Sequence, residues 1–199
     1  PAGRLRHLLT LEGLSCDEIV HLLDLAQCYV REPGDLPARD GALLGRTVAN
    51  LFFEPSTRTR VSFELAATRL GADVVNLDLH SSSRVKGETV LDTIYTLQAM
   101  MVDVFVMRDS EPGLPAFVAG HVQPHVSVLN AGEAHVSHPT QGLLDVLTIR
   151  QRRGDLKNLC VAIVGDISHS RVARSTASVF RTQGEGETFL CSCPSRRGC

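Results

Sequence analysis

Short apolar runs alternating with helix-period segments predict an α/β protein with a doubly wound parallel sheet, followed by the start of a second α/β domain. Two observations carry this. Strand-like runs recur between amphipathic segments from Thr47 to Val164. The polar residues able to do chemistry fall just after those runs, where open α/β sheets bind their ligands. The pattern divides into a first domain over 1–150, the opening of a second over 151–182, and an end segment over 183–199.

Each element has a local reason. Ser15 precedes Asp17, Glu18 and the stripe Ile19, Leu22, Leu23 and Ala26, which predicts a capped helix ending before Pro33-Gly34. Gly41 to Gly45 is a loop, and Thr47 to Phe53 is a strand. Phe63, Ala66, Ala67 and Leu70 share one helical face, and Gly71 stops that helix. Asp73 to Leu79 is again strand-like, and His80 to Gly87 is a polar, exposed loop. Glu88 to Met101 predicts a helix with Val90, Ile94, Leu97 and Met101 on its apolar face. Asp103 to Met107 is a short buried strand, followed by a helix around Pro115 to Ala119 and a strand over Val126 to Leu129. A helix from about Pro139 to Arg152 leads to a strand over Cys160 to Val164 and a helical stretch over Ser168 to Phe180. Gly165-Asp166-Ile167-Ser168 sits at a strand-to-helix turn but lacks the G-x-G-x-x-G spacing, which disfavours a dinucleotide site. Gln183 to Cys199 has no core face and is expected to be a truncated or aberrant, disordered end.

The 199 residues are 43% hydrophobic and 21% charged, an ordinary globular composition. A net charge of -2 argues against nucleic acid as a partner, which would require a basic face. No apolar run approaches a membrane span, and Pro1-Ala2-Gly3-Arg4 is not a signal peptide, so a cytoplasmic location is expected. Cys16, Cys28 and Cys160 sit singly in helix or strand patterns and read as buried thiols. Cys191, Cys193 and Cys199 have no nearby histidine to complete a zinc set, so no metal is expected.

The stretch Phe53-Glu54-Pro55-Ser56-Thr57-Arg58-Thr59-Arg60 holds the strongest chemical signal. Its hydroxyls and the Arg58 guanidinium fall at a strand-to-helix turn, where backbone N–H groups lack partners and the helix dipole is positive. Such a place suits a phosphate-like dianion. Capping by Ser56 accounts for one hydroxyl, not for three interleaved with two arginines. His138-Pro139-Thr140-Gln141 opens another helix, with Pro139 at its first position. Arg108 follows a strand and reads equally as a site cation or as an exposed cap. Ser81 to Glu88, taken as residues alone, is a solvated polar loop.

Ser-Thr-Arg-Thr-Arg after Phe-Phe-Glu resembles the carbamoyl-phosphate loop of the aspartate and ornithine transcarbamoylases, and the likeness runs from about Leu8 to Phe180. This resemblance implies that Ser56, Thr57, Arg58 and Thr59 bind the phosphate of carbamoyl phosphate. It implies further that Arg108, His138 and Gln141 contact the carbamoyl group, with Arg58, Thr59, Arg108 and His138 supporting catalysis. Ser82 and Lys86 match a mobile-loop Ser and Lys that reach a neighbouring subunit's site, which implies a homotrimer. Lys86 and Arg171 match residues that bind the acceptor. Lys86-Gly87-Glu88 and Asn130-Ala131-Gly132 resemble the aspartate branch, so L-aspartate is the expected acceptor and ornithine the competitor. No organic cofactor or metal is implied, and no side chain reads as an activated nucleophile. The end segment raises a second possibility, a non-catalytic fragment or subunit that only binds carbamoyl phosphate.

Overall fold

The computed structural model describes residues 5–78, 90–154, 156, 159–182 and 188–192. In chain order the elements are α1 (Cys16–Gln27), β1 (Thr47–Phe52), α2 (Thr57–Arg69), β2 (Asp73–Asp78), α3 (Val90–Ala99) and β3 (Val104–Asp109). There follow α4 (Leu114–Ala119), β4 (Ser127–Glu133), α5 (Pro139–Arg153), β5 (Val161–Gly165), α6 (Arg171–Thr182) and β6 (Thr188–Ser192). Two compact units result, one of residues 1–9 and 31–133 and one of residues 10–30 and 134–199.

The first unit is built on four parallel strands in the order β2-β1-β3-β4. Alternation along the strands sorts side chains to the two faces. Ala49, Leu51, Phe105, Met107 and Val128 pack with Ile94 and Leu97 of α3 and Val118 of α4. Val48, Phe52 and Val106 pack with Ala67 and Phe63 of α2 on the opposite face. Helices on both faces force the central strands to be apolar throughout, hence their near-continuous hydrophobic runs. Asn50 is an exception in this core: it is fully buried and its Nδ2 donates to Oδ1 of Asn76, its register partner on β2, at 2.8 Å.

Two pins hold the sheet's start and edge. Asp103 accepts from Thr47 N at 2.9 Å and from Arg46 Nη1 at 2.6 Å, tying the entry to β1 against the entry to β3. Burial would raise the Asp103 carboxyl, but these two bonds and the Arg46 charge hold it below its ordinary value. Leu8 lies beside β4, giving its N–H to Val128 O and accepting from Asn130 N, both at 2.9 Å. His7 also serves this edge, its Nδ1 accepting from Val128 N at 3.1 Å. Desolvation, with help from Arg6, lowers the pKa of that imidazole and favours the neutral form the bond requires.

In the second unit α1, α5 and α6 pack together and β5 pairs in parallel with β6. Ser15 and Glu18 form a reciprocal capping box at the start of α1, with Ser15 N to Glu18 Oε2 at 2.8 Å and Glu18 N to Ser15 Oγ at 3.2 Å. Ile19 and Leu23 are the buried residues of α1. Asp24 pairs with Arg150 of α5 at 2.7 Å. At Gly142 α5 comes so near its neighbours that an added Cβ would lie 2.7 Å from Leu11 Cδ1 and 3.0 Å from the carbonyl carbon of Ser175.

Several expectations need correcting. The α3 helix ends at Ala99, and Met101 turns to φ 66° and stands 74% exposed. Val102 takes the buried place instead, its N–H bonded to Leu97 O at 3.1 Å. Ala66 of α2 is exposed, leaving a narrower apolar face centred on Ala67. Strands β3 and β4 run further than the apolar pattern suggested, because pairing continues through polar residues to Asp109 and Glu133. Cys16, Cys28 and Cys160 are exposed, not buried. The first two flank α1, at its opening turn and at its C-cap, and Cys160 precedes β5. Thr188–Ser192 forms β6 inside the segment expected to lack structure, since backbone pairing to β5 needs no apolar core face. The remainder of that segment, and the loop Ser81 to Glu88, lie outside the described residues.

Among the described residues no helix is long and apolar enough to cross a membrane.

Candidate functional site

In the first unit the strand order β2-β1-β3-β4 sends the chain outward in opposite directions from β1 and from β3. A crevice opens beyond the carboxyl ends of two such strands, because their following loops diverge. Glu54 and Ser56 to Thr59 follow β1, and Arg108 lies near the end of β3. Phe53 extends the pairing of the two strands, giving its N–H to Arg108 O at 2.8 Å.

Ser56 stands at the N-cap position of α2, but its side chain caps nothing. Its hydroxyl donates to Thr59 Oγ1 at 2.9 Å. Thr57, Arg58 and Thr59 therefore form a first turn whose N–H groups precede the first helical bond, from Arg60 N to Ser56 O at 3.0 Å. Thr57 and Arg58 are exposed, and the Arg58 guanidinium makes no bond among the described residues. Uncapped donors, the helix dipole and an exposed cation meet there, which is what an oxyanion requires.

Arg108 is not an exposed residue past the strand end but lies within β3 and is buried. Its Nη2 donates to Glu54 Oε1 at 2.9 Å and its Nη1 to Ala131 O at 3.3 Å. Burial of a guanidinium requires such partners. The carboxylate comes from the β1 loop, so the ion pair bridges the two strands that flank the crevice. The turn after β3 is also held by buried acids. Asp109 Oδ1 accepts from Glu111 N at 3.2 Å, and Glu133 Oε2 accepts from Gly113 N at 3.0 Å.

In the second unit α5 begins as expected with Pro139 at its first position and His138 at the N-cap. His138 is buried and its N–H donates to Ser175 Oγ of α6 at 2.9 Å. Its ring Nδ1 lies 3.4 Å from Thr140 Oγ1. Gln141 Nε2 donates to Asp145 Oδ1 at 2.9 Å, one helical turn on. Thr176 of α6 gives its hydroxyl to the other oxygen of Asp145, also at 2.9 Å. Arg171 is the first residue of α6 and donates from Nη1 to Ala134 O at 2.9 Å.

The expected site residues thus fall in two groups. Ser56, Thr57, Arg58, Thr59 and Arg108 are in the first unit, and His138, Gln141 and Arg171 in the second. Ser82 and Lys86 lie outside the described residues. The sequence did not point to Asp145, Ser175 and Thr176. The i, i+4 spacing of Gln141 and Asp145 on a helix was a usable signal for the first; nothing local marks the other two. Among the described residues no group of three or more His, Cys, Asp or Glu gathers for a metal ion.

Residues 6–151 match the family model described as aspartate/ornithine carbamoyltransferase, carbamoyl-P binding domain. Solved structures resemble the chain as well. The catalytic subunit of M. jannaschii aspartate transcarbamoylase is 33% identical with a TM-score of 0.83, covering 96% of this chain and 61% of its own. Trypanosoma cruzi aspartate transcarbamoylase in complex with carbamoyl phosphate and aspartate is 35% identical with a TM-score of 0.79, covering 94% and 57%. The same enzyme in complex with carbamoyl aspartate and phosphate is 34% identical with a TM-score of 0.77, covering 94% and 59%. The chain therefore spans about three fifths of the length of the structures it matches.

Proposed function

We propose that this chain, which belongs to the aspartate/ornithine carbamoyltransferase family, binds carbamoyl phosphate and transfers its carbamoyl group to the amino group of L-aspartate. The observation that carries the reading is the uncapped first turn of α2, with its exposed Arg58, beside the crevice between β1 and β3. Aspartate is favoured over ornithine as acceptor because the matched structures named above are aspartate transcarbamoylases.

In this reading Ser56, Thr57, Arg58 and Thr59 hold the phosphate. Thr59, Arg108 and His138 face the carbonyl oxygen, and Gln141 meets the carbamoyl nitrogen. The acceptor amine attacks the carbonyl carbon, forming the new C–N bond and placing negative charge on the carbonyl oxygen. Fixed donors stabilise that charge more than they stabilise the ground state. Collapse of this intermediate breaks the C–O bond to phosphate, and the departing phosphate accepts the proton lost by the amine. The products are N-carbamoyl-L-aspartate and phosphate, without a covalent enzyme intermediate. Positioning two anions beside fixed positive charge supplies the rate. Arg171 and Lys86 would hold the aspartate carboxylates, and Ser82 and Lys86 would come from a neighbouring subunit of a cytoplasmic homotrimer. Residues 1–150 are the carbamoyl-phosphate domain in this scheme, 151–182 open the aspartate domain, and 183–199 follow as an end segment.

A second reading, binding of carbamoyl phosphate without turnover, is favoured by the grouping of Ser56, Thr57, Arg58, Thr59 and Arg108 in the first unit and by the match of residues 6–151 to a carbamoyl-P binding domain. One experiment tests the core of both. Arg58→Ala should reduce inorganic phosphate affinity at least about tenfold in calorimetry, the scale of a lost charge-assisted bond in an anion site. Its unfolding midpoint should not move, because the side chain is exposed. Unchanged phosphate affinity would remove the anion site from α2. Formation of carbamoyl aspartate by the chain separates transfer from mere binding.

A further inference from the structure

We infer that Asp145, held by Thr176, is a positioning residue that fixes the amide of Gln141 with its oxygen outward, so that the site selects an acyl phosphate bearing an N–H donor. The inference deepens the proposed function and rests on Gln141 meeting the acyl group there.

The orientation follows from the chemistry of the partner. An ionised carboxylate has lone pairs and no proton to give, so only the nitrogen of a glutamine amide can face it. Gln141 Nε2 lies 2.9 Å from Asp145 Oδ1. The Oε1 atom must then point the other way, as a hydrogen-bond acceptor. Rotation of the amide by half a turn would set two acceptors against each other and lose a charge-assisted bond.

Asp145 itself is not free to turn. Its second oxygen accepts from the Thr176 hydroxyl at 2.9 Å, and Thr176 is buried on α6. The two helices touch at Gly142, between Gln141 and Asp145 in sequence, where a Cβ would lie 3.0 Å from Ser175 Cβ. Ser175, the residue before Thr176, accepts the N–H of His138 at 2.9 Å. One close helix crossing therefore sets both candidate acyl contacts, His138 by its backbone and Gln141 by its side chain. Neighbouring hydroxyls on α6 supply both bonds.

The consequence is discrimination. Carbamoyl phosphate carries an –NH2 where acetyl phosphate carries a methyl group of similar size. An outward Oε1 accepts from the first and is left unpaired by the second, and sites built to hydrogen-bond a ligand group reject analogues lacking it strongly. A freely rotating glutamine would lose part of this preference, because no fixed acceptor would await the ligand.

The test compares carbamoyl phosphate, acetyl phosphate and inorganic phosphate as ligands of the full chain, by calorimetric competition. The unaltered chain should favour carbamoyl over acetyl phosphate by at least about tenfold. Asp145→Asn keeps the shape but can donate or accept, leaving both amide orientations open. It should cut that ratio at least about fivefold while inorganic phosphate affinity stays within about twofold. Thr176→Val should cut the ratio less, and serves if the Asp145 variant does not fold. In 15N spectra the Gln141 side-chain NH2 pair should shift and exchange faster in both variants. Equal affinity of the unaltered chain for the two acyl phosphates would overturn the reading and the inference together. A preference that survives both substitutions overturns the inference alone, and so does a parallel loss of inorganic phosphate affinity, which would mark a merely structural role.

Discussion

Substituting Gly142 by alanine sets two effects of known sign against each other. In a helix interior alanine is favoured over glycine by about 1 kcal/mol. Against that, the new methyl would stand 2.7 Å from Leu11 Cδ1 and 3.0 Å from both the carbonyl carbon and Cβ of Ser175. The leucine contact involves the far end of a flexible side chain, but Leu11 is fully buried and has little room to swing. The Ser175 carbonyl carbon is helix backbone and moves only if α6 moves. Overpacking of this kind costs about 1–3 kcal/mol. The net expectation is a loss of about 1 kcal/mol, small enough that a single variant decides little. A double-mutant cycle decides more. Leu11→Ala alone should cost about 2–5 kcal/mol through the cavity it leaves. In the Gly142→Ala background that cavity receives the methyl, so the second loss should be smaller by at least about 1 kcal/mol. Urea unfolding, with hydrogen exchange of the α5 and α6 amides to localise the effect, reads both numbers. Additivity within about 0.5 kcal/mol would refute the close approach of these helices at Gly142.

Two further perturbations test the pins of the fold. Asp103 is held below its ordinary carboxyl pKa, so its contribution is complete above the unfolded value of 3.8 and disappears as pH falls through the lower folded value. Asp103→Asn should therefore cost about 1–3 kcal/mol at neutral pH, with the gap to the unaltered chain closing in acid; a pH-independent gap in urea midpoint would contradict this. Ser15→Ala should weaken α1 by about 1 kcal/mol through loss of the capping box, seen as faster exchange of the Glu18 amide. Unchanged protection of that amide would mean that the cap contributes nothing.

How much of this was legible in the sequence differs from element to element. The helix starting at Ser15 was readable because a capping box is local chemistry, complete within four residues. The stop at Gly71 was readable for the same reason, since φ 89° there suits glycine. The end of α3 was not: Met101 fits the apolar stripe as well as Val102 does, and only packing chose between them. Strand β6 escaped notice because a ladder is made by backbone groups of two distant segments, and the run Thr188 to Ser192 shows no alternation of polar and apolar residue types in sequence. The candidate phosphate turn was visible because its hydroxyls and arginine are consecutive, and consecutive residues at a helix start share one place by geometry alone.

By itself, then, the chain determined what depends on neighbours in sequence. That includes the parallel α/β alternation, the helix caps, and the run Ser56 to Thr59 on the first turn of α2. Only tertiary structure decided the partners of Arg108 and Thr176. Arg108 meets Glu54 across fifty-odd residues of sequence, because strand order sets β1 beside β3. Asp145, within reach of Gln141 one helical turn away, receives its second bond from the Thr176 hydroxyl of α6, and the close approach of α5 and α6 falls at residue 142, which lacks a side chain. Such contacts depend on where folded segments come to lie, and the composition of either segment does not encode that position until the other has packed against it.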